Sequence, residues 1–392
     1  MKILFIHNRY KQAGGEDVAL EAESNLLKQR NHDVKELLFD NTGITHQSFP
    51  FLQGINSLYN SSSRKLVLAA IDSFKPDVIH IHNLFFLASP SVLYAANSRN
   101  IPVVFTLHNY RLICCNALLL RNNVICELCV NKILPYDGIK YKCYRSSQLQ
   151  SALVTAITGL HKLTGTWTGK VHTYITLTAF ARSRFIHSSL TVPESGFIVK
   201  PNFVEDHGIG KFPRKGYFLF VGRLSPEKGV PLLLESFARM RDKTLFIIGD
   251  GPEKPGLVSK YSRYTNISFL GHLSKDRVIN MLKEAQALLF PSIWYEGLPF
   301  TILEAFSTAT PVIASNLGAM AEIVQDGYNG FHFEAGNVHD LAGCIQKFCQ
   351  WEGKEQMHQH ARTSFEEKYH PDIHYNAIMA IYQKAINDSH HA

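Results

Sequence analysis

Residues 217–240 read YFLFVGRLSPEKGVPLLLESFARM, and this stretch decides the fold class. Five apolar residues, 217–221, are followed by a polar loop that contains two glycines. A segment whose apolar residues recur at helical spacing comes next. A short, uniformly apolar run is typical of a strand buried on both faces, and a helix after it supplies the crossover that parallel strands need. The stretch therefore predicts one strand–loop–helix unit of a parallel sheet.

The same unit recurs along the whole chain. Strands are predicted upstream and downstream at KILFIH (2–7), DVKELLF (33–39), DVIHIH (77–82), PVVFTLH (102–108), TLFIIG (244–249), ISFLG (267–271), ALLFPS (287–292) and PVIAS (311–315). Helical segments separate most of them, and the pattern restarts after VKPNFV (199–204). A chain of 392 residues also exceeds the usual size of one core.

This organisation predicts an α/β protein with two doubly wound, Rossmann-like domains. The expected boundaries are 1–200 for the first domain and 201–370 for the second. The tail, 371–392, has apolar residues at helical spacing, and we expect it to pack back onto the first domain.

Composition narrows the class of protein. Apolar residues make up 45% of the chain and charged residues 19%, which is typical of a folded globular protein. The opening MKILFIH is too short for the apolar part of a signal peptide, and no apolar run is long enough to span a bilayer. We therefore expect a cytoplasmic protein, at most peripheral on the inner face of the cell membrane.

One stretch, 138–193, has seven Lys and Arg residues and no Asp or Glu. Each cation taken alone is best interpreted as a solvated surface residue. Because they are interleaved with Leu149, Leu153, Ile157, Leu160, Leu163 and Trp167, the stretch as a whole suits an anionic membrane surface or a phosphorylated substrate. No nucleic-acid-binding motif is present, so nucleic acid is not an expected partner.

A candidate site lies where the second-domain strands end, because ligands of open α/β sheets bind at the carboxyl ends of the strands. Arg223 and Lys228 follow the strand at 217–221, beside Gly222 and Gly229. An Arg can bind the oxygens of a diphosphate bidentately and a Lys can act as a point charge, while glycines let the backbone approach. The turn at Gly251 also brings bare backbone to this edge. The alternative is an exposed, charged turn.

The stretch WYEGLPFTILEAF (294–306) adds two carboxylates. Pro299 suits the first turn of a helix, whose free N–H groups favour a phosphate. Glu304 lies inside this helix and can accept two hydrogen bonds from the diol of a ribose, or it can merely complement the helix dipole. Glu296 precedes the helix, where it can bind a sugar hydroxyl, assist charge development at the reacting carbon or remain a solvated loop residue.

Together these motifs resemble the retaining glycosyltransferases of family 4, which have the GT-B fold, two Rossmann-like domains facing a central cleft. The resemblance extends over nearly the whole chain. It depends on VGRLSPEKG, GDGP, FLG, EGLPFTILEA and PVIASNLGAMAEIVQDGYNGFHF in order, with Gly14, Gly15 and PVVFTLHNYRLIC in the first domain.

The resemblance implies a hexosyltransferase that uses a nucleotide-sugar donor. Its acceptor would be a saccharide or a lipid-linked oligosaccharide of bacterial O-antigen, capsule or exopolysaccharide synthesis. Arg223 and Lys228 would hold the pyrophosphate, Glu304 the ribose and Glu296 the neighbourhood of the transferred sugar. The family's other positions are His108 near the donor sugar, Gly14 and Gly15 over the phosphates, Gly271 near the base, and backbone at Leu298, Pro299, Phe300 and Thr301.

The resemblance also implies that catalysis needs no metal ion, and the cleft-facing turns contain no Asp-x-Asp pair. In the family the segment EGLPFT usually has a second glycine, which this chain lacks. Asn202, in the interdomain segment, is expected either to touch the donor or to cap the hinge. His80 and His82 alternate along one strand and are interpreted as ordinary strand residues.

Five cysteines lie within thirty residues of a first-domain insertion at 112–146. Reduced thiols are the ordinary expectation in a cytosolic protein. Their spacing is nevertheless compatible with a structural zinc on Cys114 or Cys115 together with Cys126, Cys129 and Cys143. A family subgroup has a similar cysteine-bearing insertion.

Other functions remain as alternatives. A different GT-B nucleotide-sugar enzyme or a non-catalytic nucleotide-sugar-binding protein would keep the same residues. A dinucleotide-dependent oxidoreductase would need a G-x-G-x-x-G turn, which neither domain has.

Overall fold

A computed structural model describes residues 1–9, 14–40 and 56–390. These residues divide into two compact units. The first comprises 1–119, 126–201 and 374–392, and the second comprises 120–125 and 202–373. No helix in the described ranges is both long enough and apolar enough to cross a membrane.

The first unit contains a six-stranded parallel sheet with the order β2-β1-β3-β4-β7-β8. Its strands are β1 Lys2–Arg9, β2 Asp33–Asp40, β3 Val78–Asn83, β4 Val103–Leu107, β7 Thr173–Thr176 and β8 Phe197–Val199. The two-stranded antiparallel hairpin of β5 Leu120–Arg121 and β6 Val124–Ile125 interrupts this part of the chain and is counted with the second unit. Strands β1 and β3 are almost wholly buried, as expected for parallel strands covered on both faces.

Helices cover the first sheet. They are α1 Gly15–Gln29, α2 Ser61–Phe74, α3 Ser91–Asn97, α4 Asp137–Lys140, α5 Gln148–Leu163, α6 Thr166–Gly169 and α7 Ala179–Ile186, together with most of α15 Pro371–His390. Helix α15 buries Ile378, Ile381, Tyr382 and Ala385 in one core cluster with residues of β1, β3 and α1. The C-terminal helix is therefore part of the core of the first unit.

The second unit contains another six-stranded parallel sheet, with the order β11-β10-β9-β12-β13-β14. Its strands are β9 Tyr217–Val221, β10 Thr244–Ile248, β11 Ile267–Gly271, β12 Ala287–Phe290, β13 Val312–Ser315 and β14 Gly330–Phe333. Its helices are α8 Val230–Arg239, α9 Lys254–Tyr261, α10 Lys275–Glu284, α11 Phe300–Ser307, α12 Ala319–Ile323, α13 Val338–Gln350 and α14 Lys354–Lys368.

The predicted pair of parallel α/β sheets is confirmed, but the two sheets differ in strand order. Counted within its own sheet, the second has the order 3-2-1-4-5-6 of dinucleotide-binding domains. The first has the order 2-1-3-4-5-6, the other common doubly wound arrangement. In both, the direction of winding changes at one point, between β9 and β12 in the second unit and between β1 and β3 in the first. Ligands of such sheets bind at these switch points.

Candidate functional site

The switch point of the second sheet contains an ion pair between two predicted site residues. Lys228 follows β9 and Glu296 follows β12, and the Lys228 Nζ lies 2.6 Å from the Glu296 Oε1. Ser292 donates a second hydrogen bond to the same oxygen, at 2.6 Å. Glu296 is only 5% exposed, so it is not the solvated loop residue of the alternative interpretation. The structure brings these two residues together and fixes the ammonium of Lys228.

Gly229 lets the loops after β9 and β12 approach each other. Its φ of +65° lies in the left-handed region, and a Cβ at this position would come within 2.1 Å of the Pro291 carbonyl oxygen. Any other residue would therefore push the two loops apart and separate Lys228 from Glu296.

Arg223 differs from Lys228 because its charge is free. It is exposed immediately after β9, and no side chain within the described ranges forms a hydrogen bond or an ion pair with it. A guanidinium without an acidic partner at a switch point is available to an anionic ligand.

Glu304 lies in α11, which begins at Phe300 after β12. Its carboxylate is half-buried, and no residue that the structure describes hydrogen-bonds to it. Burial raises the pKa of this carboxyl, and Lys275 partly opposes the rise. A desolvated carboxylate without a partner can accept hydrogen bonds from the hydroxyls of a ligand.

The other predicted donor residues follow the same strands. The sequence placed Pro299 in the first turn of α11. In the structure Pro299 is the N-cap, and the helix begins one residue later, at Phe300. Leu298 is buried and Phe300 and Thr301 are half-buried, at the start of the helix. Gly222 follows β9 directly, Gly251 lies three residues after β10, and Gly271 is the last residue of β11. Asn202 is buried at the start of the second unit.

His108 lies in the first unit, at the end of β4. It lines a narrow pocket together with His82, Asn83, Asn109, Arg111 and apolar neighbours. Gly14 is the N-cap of α1, and its backbone N–H donates to the Asp17 Oδ2 at 2.8 Å. Gly15 begins that helix, whereas residues 10–13 of the loop before it lie outside the described residues.

Sequence reasoning missed a buried ionic cluster under β3. Glu23 is 3% exposed and contacts Lys200, His374 and His80 at 2.9, 2.8 and 2.8 Å. His82 joins this cluster to the pocket, since its Nδ1 lies 2.9 Å from the His108 Nε2. The one sequence feature that pointed to this cluster was the pair of histidines, His80 and His82, which alternate with apolar residues along one strand.

The cysteines of the insertion lie near one another but are not at the mutual spacing of bound zinc ligands. Four ligands at about 2.3 Å would bring the sulfurs within about 4 Å of one another. In the described part of the chain no three cysteine sulfurs lie mutually within 4.8 Å. Burial raises the pKa of Cys129 to about 12, and the neighbouring Cys114 and Cys143 contribute to the rise. Zinc stays a prediction, which elemental analysis of the purified protein would test.

The stretch 138–193 is only partly a surface. Leu149, Leu160 and Leu163 are exposed, and Leu153 is half-buried. The prediction that Ile157 and Trp167 belong to a ligand-facing surface was wrong, because both are fully buried in the first unit.

Two cations of the stretch form ion pairs within the protein. Arg182 pairs with Glu194 at 2.9 Å and Arg184 pairs with Glu127 at 3.0 Å. The cations without an acidic partner therefore lie nearer the beginning of the stretch.

The exposed apolar side chains concentrate between residues 128 and 163. We call this region the basic apolar surface, and it comprises Leu128, Ile133, Leu134, Tyr136, Tyr141, Leu149, Leu160 and Leu163 with the exposed cations Lys140, Lys142 and Arg145. No acidic side chain in the described ranges pairs with these three cations. Leu134 packs beside Gly159, which connects the loop before α4 to α5.

Comparisons with known proteins agree with this arrangement. The model of Glycosyltransferase Family 4 matches residues 14–150, and that of Glycosyl transferases group 1 matches residues 203–364. A glycogen synthase of Mycobacterium tuberculosis is 32% identical over 34% of this chain and 34% of its own length. The UDP-Gal:alpha-D-GlcNAc-diphosphoundecaprenol alpha-1,3-galactosyltransferase of Escherichia coli is 33% identical over 33% of this chain. The chain spans about a third of the length of these relatives.

Solved structures match over nearly the whole chain. Anabaena Alr3699/HepE in complex with UDP and glucose has a TM-score of 0.66 and covers 98% of this chain and 100% of its own. At 16% identity this likeness bears on the fold alone. Taken with the two family models and the two parallel sheets, it leads to one conclusion: the chain belongs to the GT4-type glycosyltransferases and has their GT-B fold.

Proposed function

We propose that this protein transfers a hexose from a nucleotide-diphosphate sugar to an acceptor hydroxyl, with retention of the anomeric configuration. The observation that carries the proposal is the pair of cations Arg223 and Lys228 at the switch point of the second sheet. One is free for a ligand and the other is fixed by Glu296.

The proposed reaction uses these charges on the leaving group. As the bond to the sugar breaks, negative charge grows on the departing nucleotide diphosphate. Arg223, Lys228 and the N–H groups at the start of α11 stabilise that charge, and no general acid is needed. Glu304 accepts hydrogen bonds from the ribose hydroxyls, and Glu296 keeps Lys228 in place near the transferred sugar.

The proposal includes no metal ion for the transfer, because fixed cations take that role. Treatment with a chelator should leave the initial rate unchanged. A rate that falls and then recovers with an added divalent cation would contradict this part of the proposal.

We propose a lipid-linked saccharide as the acceptor, met at the cytoplasmic face of the membrane. The basic apolar surface supports this, since exposed Leu and Tyr side chains with unpaired cations suit anionic headgroups. The printed name of the Escherichia coli relative includes a diphosphoundecaprenol acceptor.

A transfer assay on a panel of nucleotide sugars tests the proposal. UDP sugars come first, because UDP occurs in the names of two of the similar proteins. Extracted polyprenyl-linked saccharide serves as acceptor, and proton NMR of the product gives its anomeric configuration. We expect one donor to be transferred with retention. Inversion would overturn the mechanism, and nucleotide-sugar binding without transfer or hydrolysis would favour a non-catalytic protein.

Sedimentation with vesicles tests the membrane contact. Wild type should bind vesicles that contain anionic lipid more strongly than neutral ones. Leu149→Glu with Leu163→Glu, both exposed on α5, should lose that binding, whereas Leu66→Glu on α2 should keep it. Equal binding by all three proteins would reject the proposed surface.

A further inference from the structure

The buried cluster under β3 is ionic but is unsuited to a metal ion. Glu23, His80 and His82 offer three ligand atoms that lie within 4.8 Å of one another. The Lys200 ammonium, however, lies 2.9 Å from the Glu23 Oε2 and is itself 2% exposed. A divalent cation beside Glu23 would therefore face a fixed positive charge without solvent to screen it.

The cluster instead keeps a single carboxylate ionised inside the first unit. Burial alone raises the pKa of Glu23, but Lys200 and His80 outweigh it and hold that pKa well below its usual range. Burial lowers the pKa of His82 to about 3 and that of His108 well below its ordinary value. Both imidazoles are therefore neutral and carry one ring proton each.

Two hydrogen-bond arrangements are open to a neutral His82–His108 pair. Either the His108 Nε2–H donates to the His82 Nδ1, or the His82 Nδ1–H donates to the His108 Nε2; the two nitrogens are 2.9 Å apart. In the first arrangement the other nitrogen of His82, Nε2, carries a proton. In the second it is bare.

Glu23 distinguishes between these arrangements. The His82 Nε2 is buried, has no hydrogen-bond partner among the described residues and lies 3.7 Å from the Glu23 Oε1. An N–H facing a carboxylate at this distance is attracted, whereas a bare nitrogen is repelled, and low solvent exposure strengthens both effects. The negative charge therefore favours the proton on the His82 Nε2.

We infer that Glu23 and His82 are positioning residues that set the tautomer of His108, so that its Nδ1 is a bare acceptor for a ligand hydroxyl. The Nε2 of His108 is occupied by His82, and no described residue hydrogen-bonds to its Nδ1. A side chain that lines the pocket then accepts a hydrogen bond from a hydroxyl group and disfavours a phosphate or carbonyl oxygen. The identity of that hydroxyl as one of a sugar substrate rests on the proposed function.

Nitrogen NMR of ¹⁵N-histidine-labelled protein, without substrate, tests the tautomer directly. Long-range proton–nitrogen spectra show which ring nitrogen of His108 carries the proton, and the His108 signals are identified by their loss in His108→Gln. We expect the proton on Nε2 in the wild type. His82→Phe keeps an aromatic ring but removes both nitrogens, so the Nδ1–H tautomer should become substantially populated. Glu23→Gln should change the tautomer in the same direction.

Tyr382→Phe is the matched control. The Tyr382 hydroxyl lies 2.7 Å from the His80 Nδ1 and 3.5 Å from the Glu23 Oε1, but it touches neither His82 nor His108, and the Tyr382→Phe change leaves the charge of Glu23 in place. Its removal should leave the His108 tautomer unchanged. A wild-type proton on Nδ1, or a tautomer unaltered by His82→Phe, would overturn the inference. The His82→Phe result decides this even if Glu23→Gln fails to fold.

Kinetics then separate the inference from the proposed function. In His82→Phe we expect kcat to fall at least tenfold while the Kd for the nucleotide diphosphate stays unchanged, because its candidate site belongs to the second unit. An unchanged kcat would show that the tautomer has no role in transfer. A wild type that shows the expected tautomer but transfers no sugar would refute the proposed function and leave the tautomer assignment intact.

Discussion

Arg223 and Lys228 follow the same strand but differ in what their charges contact. Lys228 is paired with a buried carboxylate, whereas Arg223 is exposed and has no acidic partner in the described ranges. The sequence suggested one role for both cations. Because their surroundings differ, we expect replacing each cation to change the free energy of unfolding by a different amount.

Arg223→Ala should lower transfer at least tenfold and change the free energy of unfolding by no more than about 0.5 kcal/mol, since no internal contact is lost. Lys228→Ala should lower transfer similarly but also cost about 1–3 kcal/mol, because Glu296 loses the cation that pairs with it. Initial rates and urea unfolding of both variants measure this difference. Normal turnover in Arg223→Ala would refute the diphosphate site.

Glu304→Gln should weaken nucleotide binding about tenfold without lowering stability. The carboxylate has no hydrogen bond to lose among the described residues, and burial already disfavours its charged form. Calorimetric titration with the nucleotide diphosphate, beside urea unfolding, measures both quantities. Unchanged affinity would remove Glu304 from the ribose site.

At the scale of elements, helix α1 contains an acid in an unusual environment. Glu16 is buried near the start of the helix, and Asn83 and Asn109 donate to its two oxygens at 3.2 and 3.4 Å. Burial and the neighbouring Asp17 raise its pKa from 4.5 to about 8. Near neutral pH this carboxyl is therefore largely protonated.

The raised pKa predicts a stability that depends on pH. Because the folded state binds this proton more tightly than the unfolded state, the free energy of unfolding should fall as pH rises from about 4.5 to about 8. The loss should reach a few kcal/mol, since one pKa unit corresponds to about 1.4 kcal/mol. Glu16→Gln should flatten this part of the profile, and Glu21→Gln, an exposed acid on the same helix, should not. Urea unfolding between pH 4.5 and 8.5 measures all three proteins.

At the scale of the whole molecule, the two ends of the sequence meet in one core. Residues 374–392 belong to the same unit as residues 1–119, and α15 packs against side chains of β1, β3 and α1. The core of the first unit therefore combines residues that are far apart in the sequence.

Ile378→Ala should lower the free energy of unfolding by about 2–5 kcal/mol, because Ile378 is fully buried in that core. Gln383→Ala, on the exposed side of the same helix, should change it by less than about 0.5 kcal/mol. Chemical unfolding followed by far-UV circular dichroism measures the effect. Equal stabilities of the two variants would contradict this role of α15.

The two parallel sheets could be predicted from the sequence, because apolar runs and the glycines and charges at strand ends are local signals. The boundary near residue 200 and the roles of the loops after β9 and β12 stay predictions. Strands β7, β8 and β14 were not predicted. Strand β8 has only three residues, and the four-residue β7 and β14 have two apolar residues each, fewer than the equally short β12 and β13.

Only the tertiary structure decided the strand order of the first sheet, the burial of Ile157 and Trp167, and the contact between Lys228 and Glu296. It also brought Lys200 and His374 into contact with Glu23, from which they are 177 and 351 positions away in the sequence. A buried charge needs a partner, but sequence spacing does not say which distant residue supplies it. That pairing depends on how helices pack across a sheet, and it is what fixes the charge next to His82 and the hydrogen-bonding role of His108.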